Sequence, residues 1–570
     1  MPRRKNWLEQ CIDKNRNYST INNGKTQHLL AANYFDQRDN GYGAQRGYTQ
    51  IGINKQKGSM FKPIYYLTVL TVTLGASTQF YSYGIVNPEQ ELLTNWINTT
   101  YASRQHSSGL TETQLNLFWS LVVSSISIGA LVGALSVRTL AEKAGRRNAL
   151  IINGVVNVFA ALLEFGSKWA ESPEMLIIGR FIIGANMSIT TGLAPMFLME
   201  ITPNRYRGAA GTFHQIAVAF SDCLSLFLGL PEILGSETLW PIAFGLPGLP
   251  ALLLCIVLPL CPESPKFLLV SRGERDKAKQ VLNKLVNEDE AKQMFESLIK
   301  EAALSQEGLG SFKQLFTKYE LRIPIIVSIL VMFAQQFTGC GAVFAYSTDM
   351  FISAQLTPKA ARFSTLAVGI VYFASSCSAP FLIEKLGRRR LSLFQLSMVA
   401  VSLSFLSVFS YLQNVSQSSW ATSGTIFSLV FYMLVYGVGS PIPWMITSEL
   451  FETKYRSAAV TFSVFIAWTL SFLISTLYLP FQQSGISFSF LPFIVLTVVF
   501  TITIYCILPE TQHKPASEVV EEIRFRATSI SSGHPFRVIP QSTTNDETQS
   551  LLRSESDFSS SHYRYMSTTG

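Results

Sequence analysis

The sequence predicts an all-α membrane protein with twelve spanning helices in two six-helix bundles. Three observations lead there. Of 570 residues, 48% are hydrophobic and 14% charged, too few charges for the surface of a soluble chain this long. The apolar residues gather in runs of roughly 20, the length a helix needs to cross ~30 Å of hydrocarbon. Two charged signatures also occur twice, roughly 245 residues apart. Glu142-Lys143-Ala144-Gly145-Arg146-Arg147 returns as Glu384-Lys385-Leu386-Gly387-Arg388-Arg389. Glu200 with Arg205 and Arg207 returns as Glu449 with Lys454 and Arg456. A duplicated membrane domain with charge clusters on one face reads as a secondary transporter.

Residues 1–60 are rich in Asn, Gln, Gly and Lys and are expected to be disordered. The first apolar run begins near Ile64, too deep for an ordinary cleaved signal peptide, so the first span is expected to serve as the insertion signal. Spans at 64–84, 116–138, 148–167, 175–199, 209–232 and 240–260 make the first bundle, 61–261. In the linker, 262–321, Lys and Glu alternate with Val281, Leu282, Leu285, Met294, Phe295, Leu298 and Ile299, which predicts amphipathic helices against the membrane face. Spans at 322–345, 362–384, 391–412, 422–447, 456–479 and 487–508 make the second bundle, 322–510. The tail, 511–570, opens on acidic residues and becomes rich in Ser and Thr, and is expected to be largely disordered. Backbone groups in lipid must bond internally, so the long runs read as helices, and their unbroken apolar character excludes a barrel.

Orientation follows from the basic residues of short loops. Twelve, including Arg138, Arg146, Arg207, Arg390 and Arg456, fall on one side, against Arg104, Lys168, Lys359 and Arg362 on the other. The first side, with both termini, is expected to be cytoplasmic, and the plasma membrane is the default location. Asn98 and Asn414 then stand in glycosylation sequons on the outer side, while Asn17 carries the same pattern on the inner side and is expected to stay unmodified. Topology explains the net charge of +8 better than nucleic acid binding does. The seven cysteines form no CxxC pair, and no disulfide framework, metal site or cofactor is expected.

The motifs carry a resemblance. They are Gly145-Arg146-Arg147, Gly179-Arg180-Phe181, Glu200 with Arg205-Tyr206-Arg207-Gly208, Pro262-Glu263-Ser264-Pro265, Gln335-Gln336, Gly387-Arg388-Arg389, Pro441-Ile442-Pro443-Trp444, Glu449 and Pro509-Glu510-Thr511. In that order the chain resembles the facilitative glucose transporters of animals, in the sugar porter family of the major facilitator superfamily, from about Phe61 to Gln512. The resemblance implies two six-helix bundles around a central sugar site, working by alternating access.

Each repeated Glu sits at a helix end beside basic loops. Glu200 with Arg146, Arg147, Arg205 and Arg207, and Glu449 with Arg388, Arg389 and Arg456, are the candidate gating pairs. Such pairs would hold the halves together on the inner side. An exposed pair is worth only ~0–1 kcal/mol, so a network is needed.

A hexose offers hydroxyls and no charge, so its pocket needs neutral donors and acceptors beside an apolar wall. Gln215, Gln335 and Gln336 are intramembrane amides that demand partners, and His214 is expected to point elsewhere on its helix. The glycines of Thr338-Gly339-Cys340-Gly341 would let that helix loosen around a substrate. Trp444 would cover the sugar and Trp468 line the cavity, and Gln79 is a further candidate, with Tyr81 and Tyr83 at the outer mouth or in the interfacial belt.

The pattern departs from the family at the positions that read the sugar. Met332-Phe333-Ala334 replaces Gln-Leu-Ser, and Gly341, Tyr372, Ala467 and Ser471 replace family Asn residues. Tyr436 replaces a Glu. A pocket with changed donors discriminates differently. The first span contains no acid, which favours uniport of a hexose or related polyol. Asp222 is a possible proton site, two turns from Gln215, and Glu164 is expected to be interfacial. The alternatives are a proton-coupled symporter and a non-transporting sugar receptor. No nucleophile–base pair or phosphate loop suggests an enzyme. The expected partners are a small neutral solute and the bilayer, with the oligomeric state open.

Overall fold

The computed structural model describes residues 60–105, 109–304, 312–416, 419–451, 453–484, 490–512, 514 and 516–531. They belong to one unit, Ser59–Gly570. Cys11, Asn17 and the rest of the N-terminal segment lie outside the described residues, as does the tail beyond 531. The regular structure of the described residues is helical, apart from one isolated bridge between Phe61 and Val286.

Ten helical segments are long and apolar enough to cross a membrane, from Glu112–Lys143 to Tyr455–Thr476. Leu135, Leu162, Leu253, Phe381, Phe427 and Ile502 are each more than half exposed on their helices, as a hydrocarbon-facing belt requires. Two expected spans fall short of that standard. Leu491–Ile507 has 17 residues. The first is broken into Pro63–Leu70, a π turn at Thr71–Ala76, a 3-10 turn at Thr78–Phe80 and Tyr81–Gly84. Gly75, Ser77 and Thr78, all weak helix formers, lie where its helical run is interrupted. The chain then enters the helix Val86–Gln105, so the stretch expected as an outer loop is largely ordered.

Helices approach closely where side chains vanish. A methyl group on Gly184 would lie 1.9 Å from the carbonyl oxygen of Ile126, so only glycine lets Pro173–Ile201 lie against Glu112–Lys143. The Tyr319–Phe337 helix ends at Gly339, φ +80°, before Cys340–Ser353 begins, the break expected from its glycines.

Two soluble caps close the basic end. The linker helices Arg275–Leu285 and Glu288–Leu304 bury Leu282, Leu285, Met294 and Leu298 against the N-terminal half. The tail helix Ala516–Ser531 buries Val519 and Ile523 against the C-terminal half. Within the tail expected to be largely disordered, 516–531 is thus helical: an i,i+4 apolar pair on a charged helix needs only a matching apolar surface. Glu522 is braced by Lys514 Nζ at 2.8 Å and Arg526 Nη2 at 2.7 Å. Burial opposes its ionisation, but these two donors outweigh burial and hold the carboxyl below its ordinary value.

Candidate functional site

A central cavity of about 110 Å³ lies between the halves. A water needs roughly 10–15 Å³ of such space, so several waters or one small polyhydroxylated solute fit. Seven sequence-predicted residues line it: Gln215, Gln335, Gln336, Tyr372, Tyr436, Trp444 and Trp468. Asp222 lines it too.

Its hydrogen bonds run from amide to phenol. Gln215 Nε2 donates to the Tyr372 hydroxyl at 2.9 Å, a bond that crosses from one half to the other. Gln335 Nε2 donates to the Tyr436 hydroxyl at 2.9 Å, and Gln335 Oε1 accepts from Gln395 at 3.3 Å. A phenol that accepts an amide proton still has its own to give. Tyr372 and Tyr436 thus turn two amides, the half-buried Gln215 and the buried Gln335, into hydroxyl donors facing the cavity. Trp468 Nε1 is buried with no partner among the described residues, a third donor for a ligand. Phe344 packs edge-on against Tyr372 and Tyr436, with centroids 5.1 and 6.0 Å away, and Trp468 stacks on Phe80. These rings supply the apolar wall.

Other expectations are corrected. Gln79 is withdrawn from the cavity: it is 2% exposed and donates to Asn186 O at 3.1 Å and to Thr190 Oγ1. Its amide is spent joining the first segment to Pro173–Ile201. His214 does line the cavity, with Nδ1 2.7 Å from Ser77 Oγ. Glu164 is fully buried rather than interfacial, and neither carboxyl oxygen has a partner among the described residues. Tyr83 lines the cavity, while Tyr81 is buried away from it. Phe80, Thr191, Phe344 and Ser440 were missed, because an aromatic or hydroxyl residue in an apolar run gives no signal of which face it takes.

The basic end holds two networks. Gly145, at φ +92°, and Gly387, at φ +83°, turn the chain into helices through a backbone region that favours glycine. Glu263 then accepts the backbone N–H groups of Arg146 and Arg147 at 3.0 and 2.9 Å. Glu510 accepts those of Arg388 and Arg389 at 2.8 and 3.1 Å. Each carboxylate caps a helix N-terminus, whose free N–H groups and dipole attract negative charge. Arg146 Nη2 reaches Glu200 at 3.0 Å, and Ser264 Oγ donates to the other oxygen of Glu200. Arg388 Nη2 reaches Glu449 at 3.1 Å, and Thr511 Oγ1 donates to Glu449 at 2.6 Å.

These pairs close within each half, not between halves. Arg147 donates instead to Cys261 O, Arg389 to Tyr505 O, Arg207 to Thr202 O and Arg456 to Phe451 O. Arg205 lies over the Tyr206 ring. A contact across the basic end is made by Ser457 Oγ, 3.2 Å from Glu142 Oε1. At the opposite end Asn87 Nδ2 donates to Phe344 O and Ser347 Oγ, and Arg362 meets Glu91 at 3.2 Å. The halves are therefore joined on both sides of the cavity. Asn98 lies on the Val86–Gln105 helix and accepts from the Leu110 N–H at 3.0 Å. The Asn414 side chain lies outside the described residues.

The model of the family described as "Sugar (and other) transporter" matches residues 68–522. The chain is 33% identical over 482 residues to solute carrier family 2, facilitated glucose transporter member 1 of Gallus gallus, covering 84% of this chain and 97% of that one. It is 32% identical over 486 residues to the family's member 5 of Equus caballus, covering 85% and 96%. It shares its fold with the proton:xylose symporter XylE bound to 6-bromo-6-deoxy-D-glucose, at TM-score 0.69 and 22% identity, over 80% of this chain and 98% of that one.

Proposed function

This chain belongs to the sugar transporter family, and on that premise we propose that it carries a hexose or related polyol across a membrane by alternating access, as a uniporter. The observation that carries the reading is the cavity between the halves, lined by the Gln215–Tyr372 and Gln335–Tyr436 pairs and flanked toward either end by bonds that join the halves. A site of this kind exposes its ligand to one side only when one set of ties breaks.

The architecture goes with it. We propose twelve spans in two six-helix bundles, 61–261 and 322–510, by adding the broken Pro63–Gly84 segment and Leu491–Ile507 to the ten long segments. The basic end faces the cytoplasm with both termini, the protein resides in the plasma membrane, and Asn98 and Asn414 are glycosylated on the outer side. Positive-inside asymmetry supports this orientation. Gating rests on the repeated charges: each network keeps the basic end of its own half rigid, so that opening breaks the few bonds across the halves, such as Ser457–Glu142. Few and solvent-accessible ties suit two states a few kcal/mol apart.

The test is competitive uptake in proteoliposomes across glucose, fructose, galactose and inositol, with and without a proton gradient. Saturable uptake of at least one, indifferent to the gradient, is the expected result. Saturable binding without uptake would make the protein a receptor instead.

A further inference from the structure

One carboxylate in the cavity has no partner. Asp222 is 6% exposed on the Arg207–Leu228 helix and lines both the central cavity and a smaller one of about 10 Å³ beside it. Its carboxyl makes no hydrogen bond or ion pair among the described residues; only its backbone carbonyl does, accepting from Ser225. From the first segment it is faced by Tyr83 and by the backbone at Gly84, where an added Cβ would stand 2.7 Å from Asp222 Oδ1. From the C-terminal half it is faced by Tyr372. No Lys or Arg lines either cavity, and His214, the basic side chain present, has Nδ1 on Ser77 and its ring edge-on to Phe80.

A buried carboxylate is strongly disfavoured unless it is paired. Among the described residues the protein offers no pair, so the carboxyl is neutralised either by a proton or by a cation that enters with the solute, and its place on the cavity wall, which Glu164 does not share, opens it to the second. The remaining walls are fit for a cation. Phe80, Tyr83, Phe344, Tyr372, Tyr436 and Trp468 surround the space, and aromatic faces attract ammonium groups. The amide–phenol pairs are at hand for hydroxyls on the same solute.

We propose that the cavity selects a polyhydroxylated solute bearing a protonated amine, an amino-hexose, with Asp222 as its counter-ion. This rests on the sugar-transport reading above and sharpens it, adding a protonated amine to the hydroxyls by which the site ranks its substrates.

The experiment uses the purified full chain in proteoliposomes with labelled glucosamine and glucose. Wild type favours glucosamine in kcat/KM by at least about tenfold, the low end of the coupling between close charge pairs. In Asp222→Asn that preference collapses toward one, and N-acetylglucosamine, which lacks the charge, competes poorly with glucosamine in wild type. Should Asp222→Asn fail to fold, wild-type binding read from cavity tryptophan fluorescence carries the same test. Glucosamine affinity then falls as pH rises through the titration of its amine, while glucose affinity stays flat. Equal preference for the two sugars in wild type overturns the proposal and leaves sugar transport standing. So does glucose uptake driven by a proton gradient and uncoupled by Asp222→Asn, which would make Asp222 a proton carrier. Absence of saturable uptake for either sugar by folded protein overturns the transport reading itself.

Discussion

The two networks at the basic end are near copies, whereas the two walls of the cavity are not. Gly145, Glu263, Arg146, Glu200 and Ser264 correspond in role to Gly387, Glu510, Arg388, Glu449 and Thr511. In the cavity the N-terminal half supplies Gln215, His214 and Asp222, while the C-terminal half supplies paired amides and most of the aromatic surface. The difference separates two kinds of work. Bracing a half so that it moves as one body is the same task twice, and the duplicated sequence retains it. Reading a solute is done once, by both halves together, and needs no symmetry.

The sharpest break in that comparison comes from removing one partner of a buried pair. Glu200→Ala leaves Arg146, whose side chain is 11% exposed, without its carboxylate, and should cost about 3–5 kcal/mol. Glu449→Ala should cost a similar amount, because the Arg388 side chain it leaves behind is 7% exposed. Thermal unfolding in detergent measures both, and clearly unequal losses would mean that the copies are not equivalent braces.

Next in size is the cavity. Gln335→Leu removes the donor to Tyr436 and the acceptor of Gln395, and should weaken solute binding by about 1–3 kcal/mol. Gln215→Leu removes one bond and should do less. Saturable uptake at unchanged surface delivery is the measurement, and uptake identical to wild type in both variants would remove these amides from the site.

The fold was largely legible because its signals are additive: apolar runs of membrane length, basic loops and a repeated signature each report on many residues. The cavity was legible where a residue was costly in its setting. Gln215, Gln335 and Gln336 are amides that lipid will not tolerate, and the structure turns them inward. Gln79 carried the same signal and belongs to helix packing, since an amide satisfied by Thr190 and one awaiting a ligand look alike in sequence. His214 was misplaced because its face depends on the broken turns of the first segment, where Ser77 meets it. The pairing of each Arg within its own half was hidden for a similar reason. Spacing brought Glu and Arg to one end, but only the folded loops decide which carboxylate each Arg reaches.

Smaller effects sharpen the symmetry. Glu263→Ala and Glu510→Ala each remove a carboxylate from a helix N-terminus and should each cost about 0.5–2 kcal/mol, within about 1 kcal/mol of each other. Unfolding midpoints that differ by more would show one cap to be dominant. Smallest is the tail cap. Glu522 titrates below its ordinary value when the helix is docked, so its contribution is present above that value and is lost as pH falls through the docked one. Exchange protection over 516–531, taken relative to the intrinsic amide rate at each pH, should fall on acidification, and Glu522→Gln should show the lowered protection already at neutral pH. Protection unchanged by pH and by Glu522→Gln would remove Glu522 from the docking of this helix.

The carrier cycle itself is tested by trans-acceleration. Proteoliposomes are preloaded with unlabelled substrate and the entry of labelled substrate is timed against empty vesicles. A cavity that opens to one side at a time returns faster when occupied, so preloading should speed entry. Entry that is slowed or unchanged by preloading, and that fails to saturate, would contradict alternating access through this cavity.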